Sequence, residues 1–190
     1  CLGKLDGGWV VASETCALDH LGAQFIREVE AGEAIIINGD GVKTVYKANE
    51  GRRALCVFEA IYFARPDSLL DEKLVYTARQ EMGRQLARDH AVDADVVIGI
   101  PDSATAAAVG YSQESGIPYR DGLVKNRYVG RTFIDPDQRM RDLGVRLKYN
   151  PLPEILSGQR VVVVDDSIVR GTTTPHVVSL VRRAGAREVH

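Results

Sequence analysis

Two adjacent carboxylates, followed by a hydroxyl-rich loop that contains a glycine, are the residues of this sequence best suited to chemistry. Asp165 and Asp166 come directly after the apolar run Val161–Val164, and the loop beyond them contains Gly171 and three threonines before Pro175. Glycine lets a backbone turn tightly beside a ligand, and proline suits the first turn of a helix. The free N–H groups and the dipole at a helix start attract phosphate. The stretch therefore predicts a phosphate-binding site.

Carboxylates beside a phosphate repel it unless they have a second role. They can accept hydrogen bonds from sugar hydroxyls, or they can face a Mg²⁺ ion that the phosphates also bind. For the two aspartates alone, an acidic turn at a strand end is the better interpretation, and the attached loop is what favours phosphate. The sequence contains neither the G-x-x-x-x-G-K-[ST] pattern of P-loop proteins nor the G-x-G-x-x-G pattern of dinucleotide-binding proteins.

The elements that must hold this loop alternate between strands and helices. An apolar run over residues 95–100 predicts a buried strand, and the Ala-rich segment after Ser103 predicts a helix that Gly116 ends. A second buried strand precedes the phosphate loop, and a helix is expected after it, through Leu180 to Ala184. This order predicts a parallel α/β sheet, with both loops beyond the carboxyl ends of the strands, where ligands bind.

The first part of the chain is β-rich and shows no obvious chemistry. Short strands are predicted at Trp9–Ala12, Phe25–Val29 and Ala34–Ile37, with a hairpin turn over Asn38–Gly41. The character changes beyond this part, so a domain boundary is expected between residues 45 and 56.

A helix is also predicted shortly after that boundary. Ser68 and Asp71 fit a capping box at its start. Its apolar face is expected to contain four residues at helical spacing, Val75, Ala78, Met82 and Leu86.

Composition and net charge limit the classes of binding partner and the cellular compartment that we expect. With 190 residues and a net charge of −2, the chain has an ordinary globular composition, and no apolar run approaches the length needed to span a bilayer. The near-neutral charge argues against nucleic acid or an anionic membrane as the main partner. Three scattered cysteines fit a reducing compartment, and four histidines show no metal-ligand spacing. We therefore expect a cytoplasmic protein without a nucleic-acid or membrane partner.

Several stretches of the sequence together resemble one enzyme family. Val161–Thr173 resembles the phosphoribosyl-diphosphate signature of type I phosphoribosyltransferases. With Cys56–Ser68, Pro101–Ser103 and Lys125–Ile134, the chain resembles the glutamine amidophosphoribosyltransferase family. The likeness runs essentially from end to end and includes Ala12–Cys16 in the β-rich part.

The resemblance implies two domains and a two-step reaction. Residues 1–50 would be the β-rich end of an N-terminal-nucleophile glutaminase domain, and residues 51–190 a type I phosphoribosyltransferase domain truncated at its C-terminus. The glutaminase would release ammonia from glutamine, and the transferase would pass it to C1 of phosphoribosyl diphosphate, expelling diphosphate. This reaction opens purine synthesis. The chain would thus be a fragment of a protein that is a homo-oligomer at full length.

Roles for individual residues also follow from the resemblance. Asp165 and Asp166 would face the ribose hydroxyls and Mg²⁺, and Ser103 would belong to the diphosphate loop and the metal site, although a helix cap is its plain alternative. The residues expected to wrap the 5′-phosphate are Ser167, Ile168, Val169, Arg170, Gly171, Thr172 and Thr173.

Three cations match a mobile loop that closes over the substrate in this family. Lys125, Arg127 and Arg131 would offset charge on the departing diphosphate while closure excludes water. Sequence alone favours the plainer interpretation, a solvated basic surface.

Two cysteines have separate interpretations within the resemblance. Cys56 matches the first of four cysteine ligands of a 4Fe–4S cluster found in some members, and the other three would lie beyond His190. A small core residue is the alternative for a lone cysteine. Cys1 aligns with a late part of the glutaminase domain, so we expect the nucleophile upstream of it and the fragment to be inactive with glutamine.

Two other functions share some of these features. A nucleobase-salvage phosphoribosyltransferase would share the phosphate loop, but it has no reason to carry the β-rich part. A regulatory protein that binds phosphoribosyl diphosphate would need a basic DNA-binding module, and none is visible in the sequence.

Overall fold

The computed structural model describes residues 1–48, 54–126, 128, 148–168, 171 and 173–190. These residues form two compact units, Cys1–Tyr76 and Thr77–His190. The expected domain boundary at residue 50 lies within the segment 49–53, which is outside the described residues, and it stays a prediction. Among the described helices, none combines the length and the apolar character that crossing a bilayer requires.

The first unit is β-rich, as the sequence predicts. An antiparallel sheet contains β1 (Leu2–Leu5) between β2 (Gly8–Val11) and β3 (Gln24–Arg27), and α1 (Thr15–Leu21) follows β2. The strands β4 (Glu33–Asn38) and β5 (Gly41–Lys47) pair as a separate antiparallel hairpin, with its turn where the Asn-Gly-Asp-Gly sequence predicts it. A short π-helix covers Glu59–Phe63.

The predicted capping box at Ser68 and Asp71 is wrong. β6 (Leu69–Leu70) and β7 (Lys73–Leu74) form a small hairpin there, and Asp71 lies in its turn with a φ of 52°. Aspartate tolerates this left-handed conformation better than most residues do. The Ser68 hydroxyl is buried and donates to a carboxylate elsewhere in the first unit. The helix begins only after the hairpin.

The helix predicted in this region is confirmed by α2 (Val75–Asp89), but the face that α2 turns inward differs from the predicted one. Met82 and Leu86, predicted to be inside, are 40% and 39% exposed. The buried positions recur at every fourth residue, at Val75, Arg79, Gly83 and Ala87.

Close helix packing explains the difference. A Cβ atom on Gly83 would lie 1.9 Å from the Ala107 carbonyl oxygen in α3 (Thr105–Ser115). In the reverse direction, a Cβ atom on Gly110 would lie 2.0 Å from the Gln80 carbonyl oxygen. Small residues rather than large apolar ones therefore form the contact between α2 and α3.

The second unit contains the predicted parallel sheet. Its strands are β8 (Val96–Gly99), β11 (Arg160–Val164) and β12 (Glu188–Val189), in the order β12-β11-β8. Alternate residues of β8 face opposite sides of the sheet. Ile98 packs with α5 (Thr173–Arg183) on one side, and Val97 packs with α3 on the other. Both faces of β8 are thus buried, as its continuous apolar run predicts.

Smaller elements complete the second unit. β9 (Leu123–Lys125) and β10 (Tyr149–Pro151) pair antiparallel, and α4 (Pro153–Leu156) precedes β11. An isolated parallel bridge also joins Val97 and Tyr119.

An ion pair joins the amino ends of β8 and β11. Arg160 Nη2 lies 2.7 Å from Asp95 Oδ1, and the Arg160 backbone N–H donates to Asp95 Oδ2 at 2.8 Å. Arg160 also bonds Asp93. These bonds to Arg160 lower the pKa of Asp95 to about 2. The pair lies at the edge of the sheet opposite the predicted ligand site.

Candidate functional site

The two predicted ligand loops leave the sheet side by side. β8 and β11 are paired in parallel with Gly99 opposite Val164, and the Ile100 N–H donates to the Val164 carbonyl at 2.9 Å. The two strands end together. The loop after β8, which contains Ser103, and the loop after β11, which contains Asp165 and Asp166, therefore begin at the same carboxyl edge of the sheet. This is the edge at which open α/β sheets bind ligands.

The two aspartates form a connected, half-buried pair. The Asp166 N–H donates to Asp165 Oδ1 at 2.9 Å, and Ser167 Oγ donates to Asp166 Oδ1 at 2.6 Å. Burial, and then the charge of Asp166, raise the pKa of Asp165 to about 6. The negative charge on Asp165 is therefore held at a cost, and a cation or hydroxyl donors at this edge would lower that cost.

Two lysines from the separate β9–β10 pair interact electrostatically with carboxylates at this edge. Lys125, on β9, has its Nζ 2.6 Å from Asp102 Oδ2, in the loop after β8. Lys148, immediately before β10, is half-buried, and its carbonyl accepts a hydrogen bond from the Asn126 N–H at 2.8 Å. Burial, and then the charge of Lys125, lower the pKa of Lys148, while Asp165, Asp166 and Asp102 oppose that shift.

Lys148 is a candidate site residue that sequence reasoning missed. It lies more than twenty positions beyond Lys125 in sequence and in none of the stretches that carry the resemblance. The pairing of β9 with β10, which sets Tyr149 opposite Lys125, is what brings the two lysines together. Lys148 could have been identified only from a prediction that a strand at Tyr149 pairs with the strand that contains Lys125.

The predicted phosphate loop lies only partly within the described residues. Gly171 has a φ of 65°, the left-handed conformation that a tight turn requires, and α5 begins at Thr173 with Pro175 in its first turn. Ile168 is largely exposed. Five predicted binding residues lie outside the described residues, namely Val169, Arg170, Thr172, Arg127 and Arg131.

The donor set at this edge fits Mg²⁺ in the presence of phosphate. Within the described ranges, no group of three or more His, Cys, Asp or Glu side chains is placed to hold a metal. Mg²⁺ does not need such a group, because it commonly binds one or two carboxylates, waters and substrate phosphates. Asp165 and Asp166 supply hard oxygens, and the Ser103 hydroxyl follows the adjacent strand.

The cysteines do not complete an iron–sulfur site within this chain. A 4Fe–4S cluster takes four thiolates, and the sequence contains three cysteines. Cys56 is exposed and Cys16 is buried. Cys1 is partly buried, and its α-amino group donates to the Ala12 carbonyl at 2.7 Å.

Comparisons with known proteins place this geometry in context. The phosphoribosyl transferase domain family matches residues 67–190. The amidophosphoribosyltransferase of Mycobacterium tuberculosis is 58% identical over 189 residues, covering 100% of this chain and 36% of that protein. The enzyme of the same name from Archaeoglobus fulgidus is 56% identical over 190 residues, covering 100% of the chain and 42% of that protein.

A solved structure extends the likeness to the backbone. Glutamine phosphoribosylpyrophosphate amidotransferase from Bacillus subtilis, complexed with ADP and GMP, superposes with a TM-score of 0.90 at 52% identity. The match covers 100% of this chain and 42% of that one. The chain thus spans about two fifths of the length of the proteins it resembles.

Proposed function

Because this chain belongs to the phosphoribosyl transferase domain family, we propose that it holds the phosphoribosyl-diphosphate site of an amidophosphoribosyltransferase. The observation that carries the proposal is the Asp165-Asp166 pair at the shared carboxyl edge of β8 and β11. The whole-chain likeness to amidophosphoribosyltransferases, β-rich unit included, supports this function over a nucleobase-salvage enzyme or a regulatory protein.

The proposed reaction joins ammonia to the sugar. Ammonia released from glutamine attacks C1 of phosphoribosyl diphosphate, and its lone pair forms the C–N bond as the C1–O bond breaks. The electrons of that bond leave with diphosphate, and the attached nitrogen loses a proton to give 5-phosphoribosylamine. We assign the release of ammonia to residues outside this chain and the sugar chemistry to the second unit. The product begins de novo purine synthesis.

The acidic pair orients the sugar. Asp165 and Asp166 accept hydrogen bonds from the ribose hydroxyls, and those donors offset the charge that burial makes costly. Mg²⁺, held by this pair and Ser103, would supply Lewis-acid stabilisation of the leaving diphosphate. The N–H groups at the start of α5 and the tight turn at Gly171 hold the 5′-phosphate.

The lysines stabilise the leaving group. Lys125 and Lys148 place two ammonium groups beside the loop after β8, where the diphosphate would bind. Charge that develops on a leaving group is stabilised most by cations already fixed in place. Asp102 holds Lys125 in position before substrate arrives. Arg127 and Arg131 would add to this charge.

The proposal for the full-length protein has further parts. Cys56 would be one ligand of a 4Fe–4S cluster, and the protein would be a cytoplasmic homo-oligomer. No step of the reaction is assigned to the cluster. Iron and acid-labile sulfide analysis of the purified full-length protein, before and after Cys56→Ala, tests this part.

Substitution of the acidic pair tests the proposed site. In the full-length protein, we expect Asp165→Asn or Asp166→Asn to abolish ammonia-dependent transfer, because each variant loses an anionic ligand for hydroxyls or metal. Glutamate release from glutamine should persist. Calorimetry with phosphoribosyl diphosphate and Mg²⁺ should show lost binding, whereas Asp6→Asn, at an exposed turn, should bind normally. Unchanged transfer in both site variants would remove the pair from the mechanism.

A further inference from the structure

Two sequence stretches that carry the family resemblance have no role in the site described above. They are Ala12–Cys16 and the end of Cys56–Ser68. The structure brings them into contact within the first unit. Glu14 Oε2 accepts hydrogen bonds from the Arg65 N–H at 2.7 Å and from Ser68 Oγ at 2.8 Å.

A third bond lies beside these two. Thr15 Oγ1 accepts a hydrogen bond from the Leu69 N–H at 2.8 Å. The three bonds join positions 51 to 54 residues apart in sequence. Thr15 is 3% exposed and Ser68 is 1% exposed, so two of the participating side chains are shielded from water. A buried hydroxyl that loses its partner is costly, so these contacts hold their geometry.

The Glu14 side chain bonds the Arg65–Ser68 segment rather than the first turn of its own helix. It is the N-cap residue of α1, with extended backbone angles of φ −135° and ψ 153°. An N-cap side chain usually accepts a hydrogen bond from the first turn of its helix. Glu14 makes no such bond, and its carboxylate reaches the Arg65–Ser68 segment instead.

The segment that Glu14 holds also begins the next helix. The Ser68 carbonyl accepts from the Val75 N–H at 3.0 Å, and the Pro66 carbonyl accepts from the Tyr76 N–H at 2.9 Å. These carbonyls satisfy two of the N–H groups that lack a partner at the start of a helix. The same short segment is therefore bound by Glu14 on one side and by the first turn of α2 on the other.

This segment lies where the two parts of the chain overlap. The match to the phosphoribosyl transferase family begins at residue 67, whereas the compact first unit extends to Tyr76. Residues 67–76 thus belong to the transferase match and also pack with the β-rich part. The Ser68 and Leu69 bonds are made from inside this overlap.

We propose that Glu14 is a positioning residue, which holds the Arg65–Ser68 segment, and with it the first turn of α2, in the geometry that glutamine-dependent transfer requires. The inference rests on the proposed function, in which a glutamine site supplies ammonia to a separate transfer site. Transfer from ammonia added in solution should not depend on this contact. The proposal gives Glu14 no contact with either substrate.

The test compares two nitrogen sources in the full-length protein. For Glu14→Ala, we expect glutamine-dependent diphosphate release to fall about tenfold, the effect of losing one charge-assisted hydrogen bond. Diphosphate release with ammonia as the nitrogen source should stay within about twofold of the wild-type rate. The substitution removes no contact at the transfer site. Glutamate release should continue, so more than one glutamate forms per diphosphate.

Matched variants separate positioning from folding. Because one oxygen of Glu14 accepts both bonds, the amide oxygen of Glu14→Gln can replace it, and this variant should restore coupling. Ser68→Ala removes one of the bonds and should uncouple in the same direction, which decides the question if Glu14→Ala does not fold. Asp19→Ala, exposed on α1, is the control and should behave as the wild type.

Parallel loss of both activities in the folded Glu14 and Ser68 variants would overturn the inference, because a general structural role predicts that result. Unchanged coupling in both variants would overturn it as well. A wild-type protein that forms no phosphoribosylamine even from added ammonia would instead overturn the proposed function, and the inference with it. The wild-type measurement therefore distinguishes the two failures.

Discussion

At the scale of single residues, charge balance explains the arrangement of the site. Asp165 is half-buried beside Asp166, and this burial, followed by the charge of Asp166, raises the pKa of Asp165. Lys148 shows the converse, since burial and Lys125 lower its pKa. Both groups therefore reach their ordinary charged states more readily when a ligand supplies opposite charges or hydrogen-bond donors.

Lys148 gives a prediction at this scale. We expect Lys148→Ala to lower kcat/KM for phosphoribosyl diphosphate about 10- to 100-fold with ammonia as nitrogen source, because one fixed cation beside the leaving group is lost. Steady-state kinetics at several substrate concentrations check this. Lys148→Arg should retain part of the activity, and Lys43→Ala, exposed on the β4–β5 hairpin, should change nothing. Wild-type kinetics in Lys148→Ala would exclude this lysine from the site.

At the scale of elements, close backbone contacts decide which residues face inward. The α2–α3 contact is made through Gly83 and Gly110, because a Cβ atom at either position would overlap a carbonyl of the other helix. Large apolar residues on α2 are left partly exposed. The contact orients α3, which follows the Ser103 loop, and so supports one side of the candidate site.

Gly83 gives a prediction for this contact. We expect Gly83→Ala to destabilise the protein by about 1–3 kcal/mol, since the added methyl group must push two backbones apart. Met82→Ala, on the neighbouring exposed face, should cost only about 0.5 kcal/mol. Denaturant unfolding of both variants measures the difference. A larger loss for Met82→Ala would support the face predicted from sequence instead.

The Arg160–Asp95 pair gives a prediction about pH. The pKa of Asp95 is lowered from 3.8 to about 2, so the folded protein favours the ionised form. The pair therefore stabilises the fold fully above pH 3.8, and this contribution is lost as pH falls toward 2. The difference in melting temperature between wild type and Asp95→Asn, followed by circular dichroism, should shrink over that interval. Asp6→Asn should melt with the wild type, and a constant difference for Asp95→Asn would contradict the assignment.

At the scale of the whole molecule, the chain combines a transferase sheet with a β-rich unit that has no chemistry of its own in this structure. The likeness to amidophosphoribosyltransferases covers both units, whereas the transferase family alone covers residues 67–190. The presence of the β-rich unit is consistent with the proposed reaction, in which the nitrogen comes from a second site.

The proposed location of the glutaminase nucleophile outside this chain gives a prediction at this scale. The purified 190-residue chain should release no glutamate from glutamine, even though it begins with a cysteine. The Cys1 amine is bonded to the Ala12 carbonyl, within the first unit. A coupled glutamate assay, with the full-length protein as positive control, checks this. Glutamate release that Cys1→Ala abolishes would show that Cys1 is the nucleophile.

Local sequence patterns were sufficient for the parallel strands, the helices after them and the loop headed by Asp165 and Asp166. Continuous apolar runs, a glycine that ends a helix and a glycine in a tight turn act on residues close to them in sequence. Their consequences can therefore be predicted without knowing which distant part of the chain packs against them. The β-rich character of the first part and its hairpin turn were determined in the same way.

Tertiary structure alone decided the rest, because the deciding contacts join residues distant in sequence. Ser68 bonds a carboxylate 54 positions away rather than capping a helix. Gly83 becomes a core residue because another helix approaches it, and Lys148 enters the site because β10 pairs with β9. A local pattern shows what a residue can do, but the partner that uses it depends on how the whole chain packs.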